Sequence, residues 1–394
     1  MRHLLWLLPL VLFAARAPCQ EDEGSRFGPE GRRARQIPDQ LSQSEAARGR
    51  DLALDFLVRS QNPDGSFASG AIEGVIDINY SVAAFYDWQL ASHALVLLAL
   101  LESPQSDDRA AALEKALDWF LETRRPRRGS DWDNDTIWAA LYGTVVAVRL
   151  HDDSRFVDDP RRERLKARAL EFLEILILNQ VPTGGWGYYD DPPYSRRPKW
   201  GTSFSTALVL PTLERAEQLG WLDDPRVRQR AVAYVRRCRL PNGAYEYDLN
   251  PIPRAPAGEH INKVKGSLGR IQVCNWALFR SGDERVTLET IRTGLGLFFE
   301  HHRFLDIARM RPVPHEAYYR NAGYFYYFGH YYAALAINEL PEGEREAWHA
   351  RLRPEILKTQ RSNGSMCDFL GQRYMVVADT ALGVLTLQAG LGGG

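Results

Sequence analysis

The chain has 394 residues, 45% of them apolar and 25% charged, and its 49 basic and 50 acidic side chains leave a net charge of −1. That length supports a large core, and these fractions are those of a globular protein rather than a disordered one. The balanced charge offers no basic face for nucleic acid or for an anionic membrane surface.

Residues 1–19 read as a cleaved signal peptide. Met1-Arg2-His3 is a positive start, and Leu4 to Ala15 is an apolar run of 12 residues, short for a bilayer span. Ala15, Ala17, Pro18 and Cys19 follow, with cleavage expected after Cys19. The mature chain carries no stable membrane span by this reading, so the expectation is export to the periplasm or beyond. Cys238, Cys274 and Cys367 remain. An odd count in a large chain indicates no disulfide framework and allows one pair and one free thiol. Residues 20–43 are polar, charged and sprinkled with Gly and Pro, as in a disordered leader.

From residue 44 to 390 one phrase recurs. Gln61-Asn-Pro-Asp-Gly65-Ser-Phe67 returns as Gln180-Val-Pro-Thr-Gly184-Gly-Trp186, as Arg239-Leu-Pro-Asn-Gly243-Ala-Tyr245 and as Gln360-Arg-Ser-Asn-Gly364-Ser-Met366. The glycines are 119, 59 and 121 residues apart, so the unit is near 60 residues with two degenerate slots, one at Arg125–Gly129 and one near 303. Each phrase ends an amphipathic helix. These are Ala46–Ser60, Asp107–Arg124, Arg161–Asn179, Pro225–Cys238, Glu284–His302 and Pro341–Thr359, which the wet face of each assigns to an outer layer. Each phrase precedes a second, more apolar helix marked by an Ala-Leu pair, at 94, 140, 207, 277, 334 and 381, which belongs inside. No segment sustains a period of two. The chain is predicted all-α, an α/α toroid (α6/α6 barrel) of six helical hairpins, closed because neither end carries a polar cap. The glycine reverses the chain after the outer helix. The long polar residue satisfies backbone groups at a helix end, and the aromatic covers it.

The Gln-x-x-x-Gly-x-aromatic phrase resembles the repeat of the terpenoid cyclase and protein prenyltransferase superfamily, which includes the squalene-hopene cyclases. The resemblance covers about residues 45–390 and implies the same toroid, with an apolar isoprenoid chain bound in a central chamber. Class II terpene cyclases carry Asp-x-Asp-Asp-Thr. Aligned on Thr136, this chain reads Asp133-Asn134-Asp135. Asn134 stands where the family has its catalytic acid, which leaves Asp133 and Asp135 as acid candidates, or as helix caps. Prenyltransferase β subunits hold zinc with Asp-x-Cys and a later His. Cys274 and His330 fall at similar places, with Gln272 at the aspartate position, so zinc is the one cofactor the resemblance suggests. Read without the resemblance, these are a buried thiol and a hydrogen-bonded histidine.

The helix N-termini of an inner ring converge on one region and favour anions. Lys265 and Arg270 there form an anion clamp or a solvated loop. Trp138, Trp200, Trp276, Tyr327 and Tyr331 are candidate lining residues for an apolar chain, a carbocation or a sugar ring, or ordinary packing. Asp87, His93 and Glu316 receive no role, and His301-His302 reads as a favourable charge at a helix C-terminus. The leading expectation is an isoprenoid-handling enzyme with incomplete acid and zinc motifs. The alternatives are a polysaccharide lyase or hydrolase on the same toroid, and a non-catalytic binding scaffold. No oligomeric state is specified.

Overall fold

The outer helices form because their apolar residues recur at helical spacing. In α5 (Arg162–Asn179), Leu165, Ala169, Phe172, Leu173 and Leu176 are all buried, while Glu163, Lys166 and Glu174 between them stay wetter. Arg168 lies on the buried face too, with its guanidinium 4.6 Å over the Phe172 ring and 2.6 Å from Glu171. The other outer helices are α1 (Gln43–Arg59), α3 (Asp107–Glu122), α7 (Arg226–Cys238), α9 (Leu288–Glu300) and α12 (Glu342–Leu357). Helix α1 begins at a capping box in which Ser42 and Glu45 each satisfy the other's backbone N–H. A short helix, α10 (Arg303–Ala308), fills the second degenerate slot.

The inner helices are α2 (Val82–Glu102), α4 (Trp138–Asp152), α6 (Ser203–Gln218), α8 (Val264–Arg280), α11 (Tyr326–Asn338) and α13 (Tyr374–Ala389). They are apolar on most sides because they touch neighbours on most sides. Helix α2 is, among the described residues, the one helix long and apolar enough to cross a membrane, and it is mostly buried in the ring. The computed structural model describes residues 36–69, 82–126, 136–188, 199–249, 258–369 and 374–392.

The inner helices pack in the order α2, α4, α6, α8, α11, α13, and α13 packs back on α2. Each outer helix packs on the inner helix before it, and the first outer helix, α1, packs on the last inner one, α13. The ring is therefore closed, as the uncapped ends required. The expected all-α toroid of six hairpins is the observed fold.

The phrase is the joint of each hairpin. Gly65, Gly184, Gly243 and Gly364 all have positive φ, between 82° and 107°, which reverses the chain. The glutamine ties its own turn to the next outer helix instead of capping the end of its own. Gln61 Nε2 donates to the Gly65 carbonyl at 3.1 Å and to the Ala112 carbonyl of the next outer helix at 2.8 Å. Gln180 does the same to Gly184 and Val227, and Gln360 to Gly364 and Gly49. The third copy has Arg239 instead, which reaches the Arg285 carbonyl, and Gln272 of α8 supplies the bond to Gly294 of α9. The large residue turns into the core: Phe67, Trp186, Tyr245 and Met366 are fully buried. Its N–H is taken by the following inner helix, through Thr206, Ser267 or Thr380 hydroxyls in three copies and His93 Nδ1 in the first. His93 is thereby explained. Its Nε2–H donates to the Ala116 carbonyl at 2.9 Å, and burial lowers its proton affinity to about 3, so it stays neutral.

All three described cysteines are free thiols, so the pair that an odd count allowed does not form.

Candidate functional site at the inner rim

Alternation of outer and inner helices sends every inner helix in the same direction. The segments leading from the phrases into the inner helices therefore share one rim. Around it runs a wall of aromatic rings. Trp138, the first residue of α4, stacks on Tyr188 at 5.9 Å, and Tyr188 meets Trp200 edge-on at 5.2 Å. Phe204 of α6 touches Trp138, Tyr247 and Phe325 at 6.1, 5.5 and 5.1 Å. Tyr324 packs on Phe325 at 4.8 Å and on Phe369 at 5.9 Å. The hydroxyls of Tyr188 and Tyr247 are hydrogen-bonded to each other. Trp138, Tyr188, Trp200, Tyr247 and Tyr324 are only half-buried, so the wall is wet on one side.

Arg270 lies behind this wall. Its guanidinium is fully buried, 5.2 Å from the Tyr247 ring centre and 5.6 Å from that of Phe325. It donates to the carbonyls of Gly266, Tyr245 and Ile261 at 3.0, 3.2 and 2.7 Å, and among the described residues it has no ion pair. Burial lowers its proton affinity to about 10, which leaves it charged at neutral pH. It is thus a brace for the third phrase and a positive charge under the aromatic faces at once. Lys265, placed with it in the sequence, faces Phe304 and Tyr319 instead, with Nζ 5.2 and 5.4 Å from their ring centres.

A dyad stands beside Arg270. The Tyr324 hydroxyl is 2.8 Å from His315 Nε2, and His315 Nδ1 is 2.7 Å from the Arg320 carbonyl. A carbonyl only accepts, so His315 carries its proton on Nδ1, and Nε2 must accept from the Tyr324 O–H. Burial, with Arg270 and Arg320 adding repulsion, holds His315 below the ordinary histidine range, so it is a free base. The segment that presents it is strained: Met310, His315, Tyr319 and Arg320 all have φ between 55° and 64°. Non-glycine residues in that region are uncommon and concentrate at functional sites.

Next to Phe369, Asp368 and Asp379 form a fully buried carboxyl pair. Asp368 N–H donates to Asp379 Oδ2 at 2.8 Å, and Asp368 Oδ2 accepts from Tyr327 N–H, at the start of α11, at 3.1 Å. Each keeps an Oδ1 with no donor, and the two side chains lie within hydrogen-bond reach of each other. A proton kept by the pair supplies a donor that two ionised carboxylates lack. Burial pushes both carboxyls up, and each opposes ionisation of its neighbour.

Of the other sequence candidates, Trp276 packs on Tyr332 at 5.5 Å and Tyr331 on Tyr332 at 5.1 Å, deeper in the ring. Tyr327 is fully buried and bonds Thr359 Oγ1 at 2.7 Å, at the base of α12. Cys274 is fully buried, with its thiol pushed up by burial. His330 has both nitrogens engaged, Nδ1 with the Tyr326 carbonyl at 2.6 Å and Nε2 with His302 Nε2 at 2.8 Å. Among the described residues, the one grouping of His, Cys or carboxylates with metal-ligand spacing is His302, Asp306 and Glu355. Asp133 and Asp135 lie outside the described residues. Asp87, given no role from sequence, is fully buried under a two-pronged ion pair with Arg125, the residue that replaces the phrase glutamine in the first degenerate slot.

Sequence reasoning missed Tyr188, Tyr247 and Asp379; it had Tyr324 only among the aromatics of residues 318–332, and His315 and Asp368 only as candidate third zinc ligands without spacing support. The first two were within reach: they fall four residues after Gly184 and Gly243, and Asp368 falls four after Gly364. Extending the phrase by two residues marks the rim.

No protein-family model and no curated protein matches this chain. Solved structures do. A possible member of the GH105 family from Salmonella enterica subsp. enterica serovar Paratyphi A is 12% identical, covers 91% of this chain and 96% of its own, and has a TM-score of 0.55. An inactive variant of the α-1,6-mannanase GH76A of Salegentibacter sp. HEL1_6, in complex with α-1,6-mannotriose, is 13% identical, with coverages of 88% and 99% and a TM-score of 0.53. Type II terpene cyclase MstE from Scytonema is 14% identical, with coverages of 88% and 98% and a TM-score of 0.46. This chain is similar in fold to the first two, and identities this low speak to the fold alone.

Proposed function

We propose that the protein is an exported carbohydrate-active enzyme of the polysaccharide lyase class, acting on an acidic sugar held against the inner rim. The observation that carries this reading is the direction of the Tyr324–His315–Arg320 hydrogen bonds, which supplies a phenol already donating to a free base. Half-open Trp and Tyr faces with polar tips suit sugar rings. The buried Arg270 charge biases the rim toward an anion such as a uronate carboxylate. The step is balanced. His315 takes the Tyr324 proton, and the phenolate removes the proton beside the sugar carboxylate. The C–O bond to the leaving sugar breaks, Tyr324 returns a proton to the leaving oxygen, and His315 restores Tyr324. Export rests on residues 1–19.

The isoprenoid reading keeps one observation in its favour, the hydrocarbon continuity of Phe204, Phe325 and Phe328, with Asp133 or Asp135 as its acid. Electrostatics weighs against it. A carbocation on the open face of Tyr247 would sit on the order of 9 Å from the Arg270 charge, a repulsion of about 2 kcal/mol at an effective dielectric of about 20.

The test is incubation of the mature protein with uronate-rich polysaccharides, following the ultraviolet absorbance of the new sugar double bond. Tyr324→Phe should lower that rate by a factor of about 100 or more while leaving binding intact. Failure to generate unsaturated ends on any uronate polymer would overturn the proposal, and conversion of a polyprenyl substrate instead would install the second reading.

A further inference from the structure

A second cluster lies away from the rim, where α10 and α12 meet the back of α11. His302 is buried, and its Nε2 faces His330 Nε2 at 2.8 Å. His330 Nδ1 is 2.6 Å from the Tyr326 carbonyl, so that nitrogen must be the donor. Complete burial favours the neutral ring for His330, which leaves its Nε2 as an acceptor. His302 must therefore donate from Nε2, and its tautomer is fixed from behind.

The consequence falls on His302 Nδ1. It points at Asp306 Oδ2 and Glu355 Oε2, both at 3.1 Å. All three atoms carry lone pairs, so only a cation can sit among them. In this structure Lys358 caps that space, with Nζ 3.0 Å from Asp306 Oδ1, 3.2 Å from Asp306 Oδ2 and paired with Glu355 Oε2. The ammonium occupies the position of a cation, and the Nδ1 edge is left for a proton or a metal. One nitrogen and two carboxylate oxygens within 4.8 Å of one another make a ligand set. For zinc bonds of about 2.0–2.1 Å a tetrahedral edge is about 3.3 Å, close to the two 3.1 Å separations. A ligand histidine whose second nitrogen is oriented by an outer partner is also what metal sites require, and His330 with Tyr326 is that partner.

We propose that His302 Nδ1, Asp306 and Glu355 form a site for a divalent transition metal such as zinc, with a fourth position for water, and that Lys358 is a built-in competitor that swings out when the metal enters. The side chains of Asp306 and Glu355 are 36% and 24% exposed, so the site has an entry path. The site ties α10 to α12, and its effect is on that joint rather than on the rim chemistry.

The experiment is calorimetric titration of the full, tag-free chain with zinc chloride, together with metal analysis and thermal melting. One zinc per chain is expected, with a raised melting temperature. Lys358→Met should tighten binding about tenfold by removing the competing ammonium. His330→Gln should weaken it about tenfold or more by releasing the ring. Asp306→Asn, at a partly exposed position, should remove binding without loss of the fold. Absence of stoichiometric zinc from both the wild type and Lys358→Met, or binding that survives Asp306→Asn unchanged, overturns the proposal.

Discussion

His315 is left with an accepting Nε2 because its Nδ1–H is committed to the Arg320 carbonyl, and its ring is buried beside two guanidinium groups. Its protonation on acidification would remove the acceptor for Tyr324. The rate on an acidic glycan is therefore expected to rise with pH along a limb lying below the ordinary histidine value of about 6.5, and then to level off. A limb above that value would mean that His315 is not the group being titrated. The Asp368–Asp379 pair titrates in the opposite sense for stability. Its folded-state proton affinity is raised, so the folded chain binds more protons than the unfolded one just above the ordinary carboxylate range. Unfolding free energy from this pair should then fall as pH rises toward neutrality. Asp379→Asn supplies a permanent amide donor in place of the shared proton. Denaturant melts across that range should show a flatter pH dependence for the variant, and an unchanged slope would rule the shared proton out. Neither pair was legible from spacing alone. His315 and Tyr324 meet only because four left-handed residues fold the 310–320 segment back, and nothing in their residue types signals those angles.

At the scale of elements, most of the architecture was readable, since the outer stripes and the apolar inner helices follow from periodicity. The phrase was readable in position and only partly in role. Its glycine was assigned correctly, but its glutamine spans to the next outer helix, a contact about 50 residues away that no local rule shows. The Ala-Leu pair at 277 is buried, yet it is Ser267, ten residues earlier, that holds the phrase. The joints also differ in tightness. A Cβ at Gly65, Gly184 or Gly364 would fall far inside van der Waals contact with the backbone of the next outer helix, whereas at Gly243 the nearest atom is a Leu297 methyl at 3.8 Å. A cleft of about 340 Å³ opens there, between Gly243 and Thr290 of α9. Gly184→Ala should cost about 3 kcal/mol or more, from overpacking added to backbone strain. Gly243→Ala should cost only about 1 kcal/mol, from positive φ alone. Equal losses in chemical denaturation would show that the seams are equally packed after all.

For the whole molecule, closure depends on α1 meeting α13 and α12. Arg50 Nη1 bonds Gln388 Oε1 at 2.8 Å, Gln360 Nε2 bonds the Gly49 carbonyl at 2.7 Å, and Arg353 reaches both the Leu41 and Gly390 carbonyls. Gln360→Leu leaves the Gly49 carbonyl without that donor in a buried seam, a loss of about 1–3 kcal/mol. Amide exchange should then quicken in α1 and α13 together while α4 and α5, across the ring, stay protected. Uniform quickening would mean that the ring opens as one body and that this seam is no weaker than the rest. Closure was legible from the missing polar caps. The pairing of the first outer helix with the last inner one was not, because it is set by which hairpin partner each helix chooses in space.

That pairing has a price in time. Among the described helices α1 is made first and α13 last, so the apolar stripe of Ala46, Ala53, Leu54 and Leu57 waits for its main partner until nearly the whole ring has been synthesised. A nascent chain of this kind stays unlocked during synthesis. Until α13 is made, the circle has no means to shut.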